Sequence, residues 1–152
     1  MEVYVKTVKF ADILIVVLEN KFKKNNKKDK YKQEGEIMEI KRYETKQRMS
    51  RAVVHNNTVY LCGQVAKDTT KGIKDQTKTT LEKIEELLES VGTNKNNILS
   101  ATIYIKDMAM FQDMNLIWDN WVNENFAPAR ACVQAKMARE EILIEISIIA
   151  GL

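Results

Sequence analysis

Ile142, Ile144, Ile146 and Ile148 stand at every second position, and the residues between them, Leu143, Glu145 and Ser147, are mixed in character. Successive side chains of a strand point to opposite faces, so this period of two predicts a strand over residues 142–149 with one face committed to a core. A strand of this kind needs paired neighbours and an apolar layer above it. Both can be sought in the rest of the chain.

The covering layer is supplied by two stretches of helical period. Ile73, Thr77, Thr80, Leu81, Ile84, Leu87, Leu88 and Val91 recur at three- and four-residue spacing, and Gly92 follows as a C-terminal cap, which predicts a helix of about five turns. Phe111, Met114, Trp118, Trp121 and Val122 mark a second helix ending before Phe126. Alternating stretches lie around them. Residues 39–44 suit a short strand, 52–55 and 58–65 flank Asn56-Asn57 as a hairpin, and 99–106 and 129–136 alternate again. The order ββ(β)αβαββ predicts an α+β domain, a sheet with both helices on one face.

Alternation also predicts faces. Val59, Leu61, Val65, Leu99, Ala101, Ile103 and Ile105 are expected inward, with Tyr60, Cys62, Gln64, Thr102 and Tyr104 outward. If the last two strands pair through a four-residue loop at 137–140, with Ala129, Ala131, Val133 and Ala135 under the helices, then Arg130 and Cys132 share the outer face with Glu145 and Ser147. That face is semi-polar and aromatic, so burial against further copies of the chain is expected. An arginine there is either ion-paired with Glu145 or held ready for an anion, which a planar guanidinium clamps at two points.

The first 37 residues read differently. The apolar run ADILIVVL at 11–18 is too short to span a bilayer, has no small-residue cleavage site after it, and is followed by KFKKNNKKDKYK. We expect an atypical extension, translated from a start codon ahead of the usual one, with a charged linker, and a domain over 38–152. Residues 1–37 hold nine lysines against six acidic residues, whereas 38–152 hold fifteen basic and fifteen acidic residues. The neutral domain offers no electrostatic footprint for nucleic acid. Two cysteines and one histidine are too few for a disulfide framework or a zinc set, which predicts reduced thiols, a cytoplasmic setting and no metal.

Other residues read plainly. Trp118 and Trp121 suit core or interface anchors, Cys132 a small buried thiol, and the Glu82, Glu85, Glu86, Glu89 run a solvated helix face. Gly63 inside a strand marks a bulge, a kink or a close ligand approach.

Four pieces, Leu61-Cys-Gly-Gln64, Thr102-Ile-Tyr-Ile-Lys-Asp107, Ala127-Pro-Ala-Arg-Ala-Cys-Val133 and Leu143-Ile-Glu-Ile-Ser147, resemble in order and spacing the Rid (YjgF-like) family of enamine/imine deaminases. The resemblance covers 38–152. It implies a chorismate-mutase-like α+β fold and a homotrimeric barrel with a site in each inter-subunit cleft. It also implies hydrolysis of reactive 2-imino acids to 2-oxo acids and ammonia, without cofactor, nucleic acid or membrane. By the same resemblance Arg130 holds the substrate carboxylate, Glu145 is the acid/base or water-orienting group, Cys132 is a pocket residue with main-chain contacts, and Asn115 is the helix-borne site asparagine. Cys62, Gly63 and Met49 fall on the pocket wall. Two departures, Met49 where a Tyr is usual and Cys62 where a Ser is usual, bear on substrate range, and Arg48 or Arg51 could add an anion contact. The alternative is a trimeric small-carboxylate-binding or regulatory module without turnover.

Overall fold

The computed structural model describes residues 39–152; expectations for 1–38 lie outside the described residues. Six strands form one mixed sheet: β1 (Lys41–Tyr43), β2 (Ala52–His55), β3 (Thr58–Val65), β4 (Ile98–Ile105), β5 (Ala129–Gln134) and β6 (Ile144–Gly151). Their spatial order is β1-β2-β3-β6-β4-β5, all antiparallel except β4 with β5. The β2–β3 hairpin turns at Asn56 and Asn57 as expected, both with positive φ, a conformation whose steric cost asparagine bears better than most side chains.

Helices α1 (Ile73–Ser90) and α2 (Phe111–Trp121) cover one face of the sheet. Val59, Leu61, Ala101, Ile103, Ile105, Ile144, Ile146 and Ile148 bury against Leu81, Ile84, Leu88, Met114 and Trp118. The four-isoleucine pattern therefore does face the core, Ile142 included. Gly92 ends α1 at φ 90°, where a Cβ would strain the chain, and its N–H donates to Glu89 O. Burial of Gln76, 0% exposed, was not legible in the sequence: its Nε2 donates to Thr69 O, Lys71 O and Glu141 O and its Oε1 accepts from Leu143 N–H, tying two loops to α1.

Three expected placements are corrected. First, β5 and β6 do not pair, because β5 returns from the α2 crossover parallel to β4 while β6 inserts between β3 and β4. Arg130 and Cys132 therefore do not share the outer face with Glu145 and Ser147. Parallel register puts Arg130 opposite Ala101 and Cys132 opposite Ile103, on the helix side, and Ala129, Ala131 and Val133 on the outer face. Second, a bulge between Leu61 and Gln64 shifts the β3–β6 register by one residue, so Gln64 opposite Ile146 is buried and Val65 is not. Third, a register shift between Ile98 and Ser100 turns Ile98 inward and leaves Leu99 57% exposed.

Candidate active site

Glu145 is the central residue of the outer face. It stands on β6, opposite Tyr104 of β4 and Val65 of β3, with Ser147 two residues on opposite Thr102. The bulge at Cys62 and Gly63 brings the β3 backbone under its side chain. A Cβ on Gly63 would overlap Glu145 Oε1 and lie 2.7 Å from its Cδ, so only glycine leaves the carboxylate this seat. Of the bulge, kink and close-approach readings of Gly63, the bulge holds, and the close approach is that of a carboxylate.

The bulge is held by a chain of side-chain bonds that sequence reasoning missed. Gln64 Nε2 donates to Cys62 O at 2.9 Å and to Cys62 Sγ at 3.1 Å. Its Oε1 accepts from Arg51 at 3.1 Å, and the Arg51 guanidinium pairs with Glu44 at 2.9 and 3.2 Å. Arg51 is therefore engaged by Glu44 and Gln64 within the fold. The signal that was available is the polar Gln64 beside a strand glycine. Met49 is exposed on the same 44–51 loop, which closes through Lys46 N–H to Met49 O and Thr45 with Ser50.

Arg130 lies elsewhere. It sits on the edge strand β5 with its guanidinium over the Trp118 ring, 5.1 Å from the centroid, a cation–π contact that leaves its hydrogen-bonding edges free. Among the described residues it forms no ion pair, so the proposed Arg130–Glu145 pair is absent within one protomer. Cys132, two residues along the same face, packs half-buried against the core, and burial pushes its thiol up from the ordinary value against the opposing pull of Arg130. A thiolate nucleophile is disfavoured there.

Asn115 lies one turn before Trp118 on the same flank of α2. Met108 N–H donates to Gln134 Oε1 at one end of β5 and Trp118 covers Arg130 at the other, so Asn115 stands level with the strand between them. Its Oδ1 is buried with no hydrogen-bond partner among the described residues. A buried acceptor without a donor is costly.

The site residues thus fall into two groups on opposite faces of the sheet. Glu145, Gly63 and Cys62 stand at its centre, and Arg130, Cys132 and Asn115 lie at and above the β5 edge. Neither group lines the cavity of about 320 Å³ beyond the end of β5, formed by Lys106, Gln134, Lys136 and Arg139 among others, or the apolar groove of about 310 Å³ between the helices at Leu81, Ile117 and Trp121. Among the described residues no His, Cys, Asp and Glu group has metal-ligand geometry, and no helix is long and apolar enough to cross a membrane.

Residues 39–152 match the family model described as Endoribonuclease L-PSP. A RutC family protein of Haemophilus influenzae is 41% identical over 114 residues, 74% of this chain and 98% of the relative. The RutC family protein YoaB of Escherichia coli is 40% identical over 114 residues, 75% of this chain and 99% of its own. Among solved structures, a YjgF family member from Neisseria meningitidis superposes with a TM-score of 0.74 at 38% identity, covering 76% of this chain and 97% of that one.

Proposed function

The chain belongs to the Rid/YjgF family, the group that the Endoribonuclease L-PSP model and its RutC relatives represent, and on that premise we propose that it is a cytoplasmic, cofactor-independent deaminase of reactive 2-imino acids and their enamine tautomers. One observation carries the reading. An arginine that forms no ion pair among the described residues stands on an exposed sheet edge, and a glycine-seated carboxylate stands on the opposite face.

A single protomer cannot bring the two together, but a second copy can. The outer face exposes Tyr60, Leu99, Val133 and Ile149, a patch that favours association. In a closed homotrimer the β5 edge of one protomer meets the outer face of the next, and each cleft then holds Arg130, Cys132 and Asn115 from one copy with Gly63, Cys62 and Glu145 from its neighbour. Met49, exposed on the loop tied to the bulge, forms part of the wall.

In that cleft the chemistry follows from the groups. Arg130 clamps the substrate carboxylate at two points, its flat face backed by Trp118, and so fixes the imine carbon. Glu145 takes a proton from water as the oxygen attacks that carbon, and the C=N π electrons pass to nitrogen, which is protonated. The resulting carbinolamine loses ammonia as its C–N bond breaks and the C=O bond forms, with Glu145 passing protons from oxygen to nitrogen. One water is consumed per 2-oxo acid and ammonia released. The neutral charge balance of 38–152 argues against an RNA substrate.

The test is turnover of imines made in place by an amino-acid oxidase or a threonine dehydratase, followed by ammonia release and by loss of the semicarbazone that otherwise traps the imine. Faster ammonia release with the protein present supports the deaminase. Binding of pyruvate or 2-oxobutanoate with no acceleration supports a carboxylate-binding module instead.

A further inference from the structure

The β3 bulge that seats Glu145 is held from several sides. Cys62 N–H donates to Arg51 O at 3.1 Å, one rung beyond the β2–β3 ladder. The Arg51 guanidinium reaches Gln64 Oε1, and the Gln64 amide, only 3% exposed, folds back onto the Cys62 carbonyl. One residue along, Lys83 of α1 donates to Val65 O at 2.7 Å. Glu44 holds the other end of Arg51. Main chain and side chain of Arg51 thus grip the bulge at two points, one direct and one through Gln64.

We propose that Arg51 and Gln64 are positioning residues for the Glu145 half of the site: the Glu44–Arg51–Gln64 chain fixes the Cys62–Gly63 backbone on which the carboxylate rests, and ties it to the loop that carries Met49. The role in turnover rests on the deaminase reading; the clamp itself does not. The arrangement uses what arginine has and lysine lacks, a planar fork that satisfies a carboxylate and an amide oxygen at once. The buried Gln64 amide accepts from Arg51 through its oxygen while donating to the Cys62 carbonyl through its nitrogen.

The experiment compares Arg51→Met, Gln64→Leu, their double variant and Arg51→Lys in two measurements. The first is residue-resolved amide exchange. Loss of one charge-assisted hydrogen bond is expected to speed exchange at Cys62 N–H about tenfold in each single variant, while Ile103 and Ile146 in the sheet centre keep their rates. The second is steady-state imine hydrolysis. Here kcat falls about tenfold at unchanged KM, because substrate is held by Arg130 on the other copy, and the double variant is no worse than the poorer single. Arg51→Lys, which keeps the charge but not the planar fork, recovers part of the loss and guards against a fold defect. Wild-type exchange at Cys62 in both single variants overturns the clamp. Faster exchange with unaltered kcat, or a rise in KM alone, overturns the positioning role. If the unaltered protein does not hydrolyse imines, the deaminase reading and the positioning role fall together, and exchange still decides the clamp.

Discussion

The carboxylate of Glu145 rests on the bare backbone of Gly63, in space that a Cβ would occupy. Gly63→Ala sets two effects against each other. Alanine reduces the freedom of the unfolded strand, which favours folding by about 0.5 to 1 kcal/mol, and the displaced group is the movable end of a side chain. Stability is therefore expected to change by less than about 1 kcal/mol, while the carboxylate swings off its seat and turnover drops towards that of Glu145→Gln. Urea unfolding and imine hydrolysis on the same preparation check this, and full turnover in Gly63→Ala would separate Glu145 from the chemistry.

Arg130 and Glu145 differ in task, and their variants should differ in kind. Arg130→Ala loses a paired, charge-assisted contact of about 1.5 to 3 kcal/mol, so pyruvate binding by calorimetry weakens roughly ten- to a hundredfold. Glu145→Gln keeps the shape and removes the base. It should bind pyruvate nearly as the unaltered protein does and turn over about a hundredfold more slowly.

Because the two halves of the site lie on opposite faces, association and activity should be lost together. Light scattering is expected to give three chain masses down to low concentration, and Tyr60→Glu with Ile149→Glu should give monomers that fold and do not hydrolyse imines. An active monomer would refute the shared cleft.

Cys132 should be dispensable as a nucleophile. Burial holds its thiol above the ordinary value, so it is protonated at neutral pH and becomes easier to alkylate only as the solution turns alkaline. Cys132→Ala is expected to keep turnover within about threefold, far from the loss that follows removal of a true nucleophile. A drop of about a thousandfold would reverse that assignment.

Gln76 is the stability prediction. Gln76→Leu preserves volume but strips partners from Leu143 N–H and three carbonyls. About 3 kcal/mol of destabilisation is expected, read as a lower urea midpoint at an unchanged slope.

The local elements were legible in the sequence because each is written in a period. The isoleucines at 142–148 fixed which face of β6 is buried, the spacing from Ile73 to Val91 gave α1 and its Gly92 end, and Asn56-Asn57 gave the hairpin turn. The residue types at the site, Arg130 and Glu145 above all, could be named from the pieces that resemble the Rid family. Their relation in space could not. Which strand neighbours which is decided by non-local pairing, and inserting β6 between β3 and β4 removed the β5–β6 contact on which the face of Arg130 had been argued. Alanines at 129, 131 and 135 are small enough to lie on either face, so alternation there carries little information, and the parallel register with β4 sets Arg130 on the helix side, over the Trp118 ring. One extra residue at the Cys62–Gly63 bulge likewise turned Gln64 inward against its apparent period. A period reports the commitment of a strand to a face only while the register runs unbroken and the side chains are large enough to have a preference, and the candidate site lies where both conditions lapse.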